Sequence, residues 1–268
     1  MSTSALIPVT TRRAGNTGFP SLLAAEAIKL KRSSAWVVVI LLPLLAVFAG
    51  TFNFYANREV FSQTWESLTS QMTVFYSMFF CSLGVALLTS TVWRVEHRGT
   101  SWNAMRTTPH SPIAVALAKT LVIFVPVLAM QVVFMVLAWI SGTFIMGLGP
   151  AMPLVFIVAD LLAIVGALPL IAVQSLLSML MRSFAAPVAV AFVGCVIATG
   201  LEASQSPLAY GVPQGILSMT LLLGSSAMST AGKLDAASIL PLLAAIVGLG
   251  AVLWGLLALV ARRTGGVR

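Results

Sequence analysis

The residues best placed to do chemistry lie in one polar stretch between two long apolar runs. Arg94, Glu96, His97 and Arg98 lead into Gly99-Thr100-Ser101-Trp102-Asn103-Ala104-Met105-Arg106, and Pro109, Pro112 and Lys119 follow. The chemistry they suggest is recognition. Gly99-Thr100 can start a short helix with Thr100 as its cap. Trp102 and Met105 then share a face at i, i+3, and an aromatic beside a flexible thioether can plug a groove on another protein. Glu96 can lie against Arg98 or a basic partner surface. Pro109 and Pro112 end the helix and turn the chain back. Lys119, one to two turns into the next helix, can snorkel to an interface. A solvated loop with an interfacial Trp fits the same residue types.

A second constellation precedes the first apolar run. Across residues 21–36, Leu23, Ala27 and Leu30 recur at helical spacing, with Glu26 and Lys29 elsewhere on the wheel. Ser21 can cap this helix. Lys31 and Arg32 would sit at lipid headgroups and Trp36 would anchor the interface, giving an amphipathic helix on the inner leaflet. A plain basic flank is the simpler alternative.

Asp160 is the one acidic residue inside an apolar run. A carboxylate at membrane depth is costly and marks a candidate site. It could contact a cationic substrate, bind a proton, or pair across a subunit interface; an outer-leaflet Asp reaching water is the alternative. Gln131 and Gln174 are expected to hydrogen-bond between helices.

Several activities lack their residues. The only histidines are His97 and His110, and no His-Glu-x-x-His run exists. Cys81 and Cys195 have no ligand-spaced neighbours and read as packed free thiols. No Gly-x-x-x-x-Gly-Lys-Ser/Thr loop is present, so the chain carries no ATP site of that type. No catalytic, cofactor-binding or metal residues are expected, and the chain is read as not an enzyme.

The elements around these residues are membrane helices. Of 268 residues, 59% are hydrophobic and only 8% charged, against about 25% charged in a soluble domain. Mean hydropathy is +1.02. The net charge of +8 punctuates apolar runs instead of forming a basic face, which excludes nucleic acid as a partner. Six spans are expected, at about 35–56, 70–93, 113–147, 152–181, 184–201 and 239–261. The third is too long for one straight crossing, so its start belongs in the interface. No cleavable signal peptide is expected, and residues 1–18 read as a disordered tail ahead of one transmembrane domain, 19–268. With the N-terminus inside, 13 of the 15 Lys and Arg residues fall on cytoplasmic segments; only Arg58 and Lys233 fall outside. Both termini are therefore expected in the cytoplasm. Residues 203–238 contain a short apolar piece, Ile216 to Leu223, that fits a re-entrant or interfacial helix. Ala244, Gly248, Ala251 and Gly255 suggest close helix packing in the last span, within or between subunits.

The Glu-x-x-Lys-x-Lys-Arg run (Glu26 to Arg32), the Glu-x-x-Gly-Thr hairpin (Glu96 to Thr100), the proline some ten residues later and Ala118-Lys119 resemble the membrane subunit of type-2 ABC transporters. The chain is similar in particular to bacterial permeases of lantibiotic-immunity and multidrug type. The resemblance implies an all-α polytopic membrane protein of six transmembrane helices. An N-terminal elbow helix would carry Glu26, Lys29, Lys31 and Arg32. A cytoplasmic coupling helix between helices 2 and 3 would carry Glu96, Gly99, Thr100, Trp102, Met105 and Arg106. An extracellular re-entrant segment would precede helix 6. It implies two copies of an ABC ATPase subunit, holding the ATP and Mg, a second permease copy as homodimer or heterodimer, and residence in a bacterial cytoplasmic membrane. The implied activity is export of an amphipathic cargo, such as an antimicrobial peptide, drug or lipid-like molecule. A gradient-driven secondary transporter or channel using Asp160 is the competing reading.

Overall fold

The computed structural model describes residues 18–31, 33–97, 110–227 and 231–265, and the regular structure there is all helical. α1 spans Phe19–Lys31, α2 Ala35–Ala56, α3 Trp65–Arg94, α4 Pro112–Ile145, α5 Leu154–Leu180 and α6 Ala185–Ala203. A 3-10 turn, Pro207–Gly211, leads into the short α7, Pro213–Leu221, and α8 spans Ala236–Gly265. Helices α2 to α6 and α8 are the six long and apolar enough to cross a membrane. They fall on the six apolar runs.

The second run differs at its start. α3 begins at Trp65, five residues before hydropathy rises, because Thr64 caps it by accepting Ser67 N at 3.3 Å. Its polar first turns remain helical because they pack inward: Thr69, Ser70 and Gln71 are buried, and Gln71 Oε1 accepts from Asn53 Nδ2 of α2 at 2.7 Å. Hydropathy reads apolarity, whereas the cap and the buried hydrogen bonds decide where this helix begins. α4 starts with Ser111 as cap and Pro112 in its first turn, and it carries Pro126 in its interior. Each of α3 and α4 contains one π-helical turn, Tyr76–Phe80 and Ser141–Ile145.

α3 is the hub. It is 61% interior over its most apolar window, against 22% for α6 and α8, whose outer faces are bare and apolar. α2 lies directly on α3 at Gly50, where a Cβ would fall 2.4 Å from Met72 Cα. Only glycine permits that backbone approach. α7 fills the space among α5, α6 and α8 and is buried along most of its length. Its Gln214 occupies the place a side chain on Gly194 of α6 would take.

The small residues of the last span do not pack within this subunit. Ala244, Gly248, Ala251 and Gly255 are exposed, and nothing lies within 4 Å of a Cβ built on Gly248 or Gly255.

Candidate functional site

Four charged side chains from three elements meet where α1, the end of α3 and the start of α4 converge. Lys119 Nζ donates to Glu26 Oε2 at 2.7 Å and to Glu96 Oε1 at 2.8 Å. Lys29 Nζ donates to Glu26 Oε1 at 2.7 Å and to Glu96 Oε1 at 3.1 Å. Lys119 is 0% exposed and both carboxylates 4%, whereas Lys29 is 41% exposed. The Lys119 ammonium also stands 5.6 Å from the centroid of the Trp93 ring. Two acids and two bases leave the cluster neutral. That balance is what permits burial, because a desolvated charge without a partner costs several kcal/mol.

The cluster sets its members' protonation. Burial disfavours the charged form of Glu96, but Lys119 and Lys29 beside it outweigh that and hold its carboxyl below the usual carboxylate range. Burial opposes the charge on Lys29 too, but Glu26 and Glu96 overcome it and raise its ammonium above the ordinary value.

Glu96 and its neighbours also fasten the chain just before residues 98–109, which lie outside the described residues. His97 Nε2 donates to the Ser178 carbonyl near the end of α5 at 2.8 Å. The Arg94 guanidinium lies 5.3 Å from the centroid of Phe184, at the start of α6. Ser90 and Ser178 hydroxyls are 3.3 Å apart. Within four residues, Arg94, Glu96 and His97 thus reach α6, α1 with α4, and α5 respectively.

Several expectations change. Glu96 pairs with Lys119 and Lys29. Lys119 does not snorkel: it is sealed inside because two carboxylates converge on it. Glu26 is on the packed face of α1 with Leu30, while Ala27 and Ile28 are exposed. Ser21 is not the cap of α1, which starts at Phe19; its hydroxyl donates to Gly18 O at 2.7 Å. Lys31 is exposed at the end of α1. Arg32, Gly99, Thr100, Trp102, Met105 and Arg106 lie outside the described residues. Arg94 and His97 stood out only as part of the polar stretch, with no sign of their partners, and Ser178 carried no distinctive sequence signal. Lys119 carried one: an ionisable residue inside an apolar helix requires a partner.

Asp160 is remote from this cluster. It is 1% exposed, so it does not reach water at the protein surface, and neither oxygen has a hydrogen-bond partner among the described residues. The Tyr76 hydroxyl donates to Gln131 Oε1, at the π turn of α3. Gln131 thus links α3 to α4 as expected, whereas both side-chain polar atoms of Gln174 are unpartnered among the described residues. Cys81 and Cys195 are free and buried. Among the described residues no group of three or more His, Cys, Asp or Glu is arranged to hold a metal ion.

The model of a family described as ABC-2 family transporter protein matches residues 22–198, well over half of the chain and all of this cluster. The chain belongs to the ABC-2 transporter family. It is thereby a multi-pass membrane subunit of the ABC transporter class, in which association with an ABC ATPase is the family's arrangement. No curated protein matches the chain, and no solved structure does. In this ABC-2 chain the Glu26–Lys29–Glu96–Lys119 cluster lies wholly within the matched region.

Proposed function

We propose that this ABC-2 chain is the permease subunit of an ATP-driven exporter, working as a pair of permeases with two copies of a separate ATPase. α1 acts as the elbow helix and residues 98–109 as the coupling element that docks on the ATPase, with Trp102 and Met105 as its apolar contacts. The observation that carries this reading is the anchoring of Arg94, Glu96 and His97 to α6, α1 with α4, and α5. A docking segment is useful to a transporter only if its displacement moves the bundle, and this root leaves little slack. The distribution of Lys and Arg, 13 of 15 on segments at the cluster's side, favours the cluster on the cytoplasmic side of a bacterial membrane. The apolar helix faces favour an amphipathic cargo such as a peptide, drug or lipid-like molecule.

The test is co-purification of an ATPase with wild-type protein and with Trp102→Glu from host membranes in mild detergent. The reading expects a P-loop protein to accompany wild type in stoichiometric amount and to be lost with the variant. Equal retention by both would remove the coupling assignment.

The sealed carboxyl of Asp160, unpartnered among the described residues, favours a second reading, a gradient-driven carrier. Reconstituted transport that runs on a proton gradient without ATP, and stops in Asp160→Asn, would establish it.

A further inference from the structure

At the end of the bundle opposite the ion cluster, the 3-10 turn, α7 and the start of α8 enclose a cavity of about 510 Å³ against the end of α6. Its walls are of two kinds. Met219, Leu222, Leu223 and Leu242 supply apolar surface, and Tyr210 supplies an aromatic ring. Gln205, Ser206, Ser238 and Glu202 supply polar groups, and no Lys, Arg or His lines it among the described residues. Gln205 is held at φ 55°, the one non-glycine residue with positive φ among the described residues. The left-handed conformation is unfavourable for a residue with a side chain, and such strain concentrates at ligand sites.

Glu202 is the group without an account. Ser218 Oγ of α7 donates to its Oε2 at 2.9 Å, but Oε1 is shielded from water and has no partner among the described residues. The basic residue of this loop, Lys233, is exposed and does not line the cavity. Glu202 lines the cavity, and no basic side chain among the described residues there offers it a positive partner. The cavity beside it has room for such a partner, an aromatic ring for cation–π contact, and apolar walls for a short tail.

We propose that this cavity binds a small amphipathic cation, with its protonated amine against Glu202 and its apolar part against Met219 and Leu242. The proposal extends the export reading by placing a cargo-class ligand site inside one subunit. It needs only this fold, so binding is measured on the full chain alone, without ATP, and its failure is separate from failure of ATPase association.

The chain is reconstituted in phosphatidylcholine nanodiscs and titrated with dansylcadaverine, a primary amine on an aromatic tail, with empty nanodiscs subtracted. Its N-acetyl derivative, the same tail without the charge, is the control. Wild type is expected to bind the amine saturably and at least about tenfold tighter than the acetylated probe, as a charge-assisted contact implies. Glu202→Gln is expected to erase that difference while leaving the melting temperature near wild type. Ala237→Trp, on the exposed rim of the cavity, tests the site if Glu202→Gln fails to fold. It should weaken the amine by a similar factor. Equal affinity of wild type for the two probes overturns the proposal. So does unchanged amine binding in a folded Glu202→Gln protein or in Ala237→Trp, which would assign the binding to lipid and leave Glu202 a merely neutralised acid.

Discussion

Lys119, on the third membrane helix, and Glu26, on the helix that precedes the first, are joined by a 2.7 Å hydrogen-bonded ion pair that is closed to water. The contact crosses 93 positions of sequence and fixes α1 to the bundle. With Glu96 and Lys29 it ties α1, the end of α3 and the start of α4 into a single piece.

Removing the central cation should therefore be severe. Lys119→Met leaves two buried carboxylates facing one half-exposed ammonium. The expected loss is about 3–5 kcal/mol of stability, as for other buried pairs broken on one side. Melting temperature in detergent measures it. The triple variant with Glu26→Gln and Glu96→Gln should recover most of that loss, since no buried charge is then left uncompensated. A triple variant as unstable as the single one would show that packing around Lys119, and not charge, is what matters.

The cluster should have a pH window. Glu96 titrates below its ordinary 4.5 in the folded protein, so its contribution is complete above that value and is lost as pH falls through the lower folded value. Lys29 titrates above its ordinary 10.5, so its contribution is complete below that value and is lost as pH rises through the higher folded value. Attachment of α1, followed by a fluorophore on Ile28→Cys, should be flat between those limits and weaken outside them. Glu96→Gln should reduce the acid-side loss.

The α2–α3 contact should tolerate no side chain. Gly50→Val drives carbon into the backbone of Met72, whose Cα and N would be 2.4 and 2.5 Å from the new Cβ. The penalty should reach the upper end of overpacking, about 3 kcal/mol. Gly248→Ala on α8, with open space around it, should stay within about 0.5 kcal/mol. Paired thermal melts compare them directly, and equal effects would refute the packing account.

Within the core, Tyr76→Phe should cost about 1 kcal/mol by removing the donor to Gln131. Gln131→Leu should cost more, because it strands the buried Tyr76 hydroxyl. The double variant should be milder than the sum of the two. Strict additivity would mean that the bond contributes nothing.

Composition and periodic hydropathy alone determined a six-helix membrane protein, because a chain 59% hydrophobic with runs near 20 residues has no other way to satisfy its backbone. The polar spacing around Glu26 and Glu96 was likewise visible as two separate motifs. That these motifs are one site was decided by tertiary structure. Glu26 and Glu96 are 70 positions apart in sequence, and only the docking of α1 and of the end of α3 on α4 brings both carboxylates onto Lys119. The same holds for His97 on Ser178 and for the Glu202 cavity, whose walls come from three stretches of chain. The small-residue stripe of α8 made the limit plain: spacing showed that a close approach was possible there, but within this subunit close approaches fell at other glycines, Gly50, Gly142 and Gly194 among them. Local sequence sets which residues can be helical and apolar; which buried charges meet depends on how whole helices pack, and that is a property of the assembled bundle.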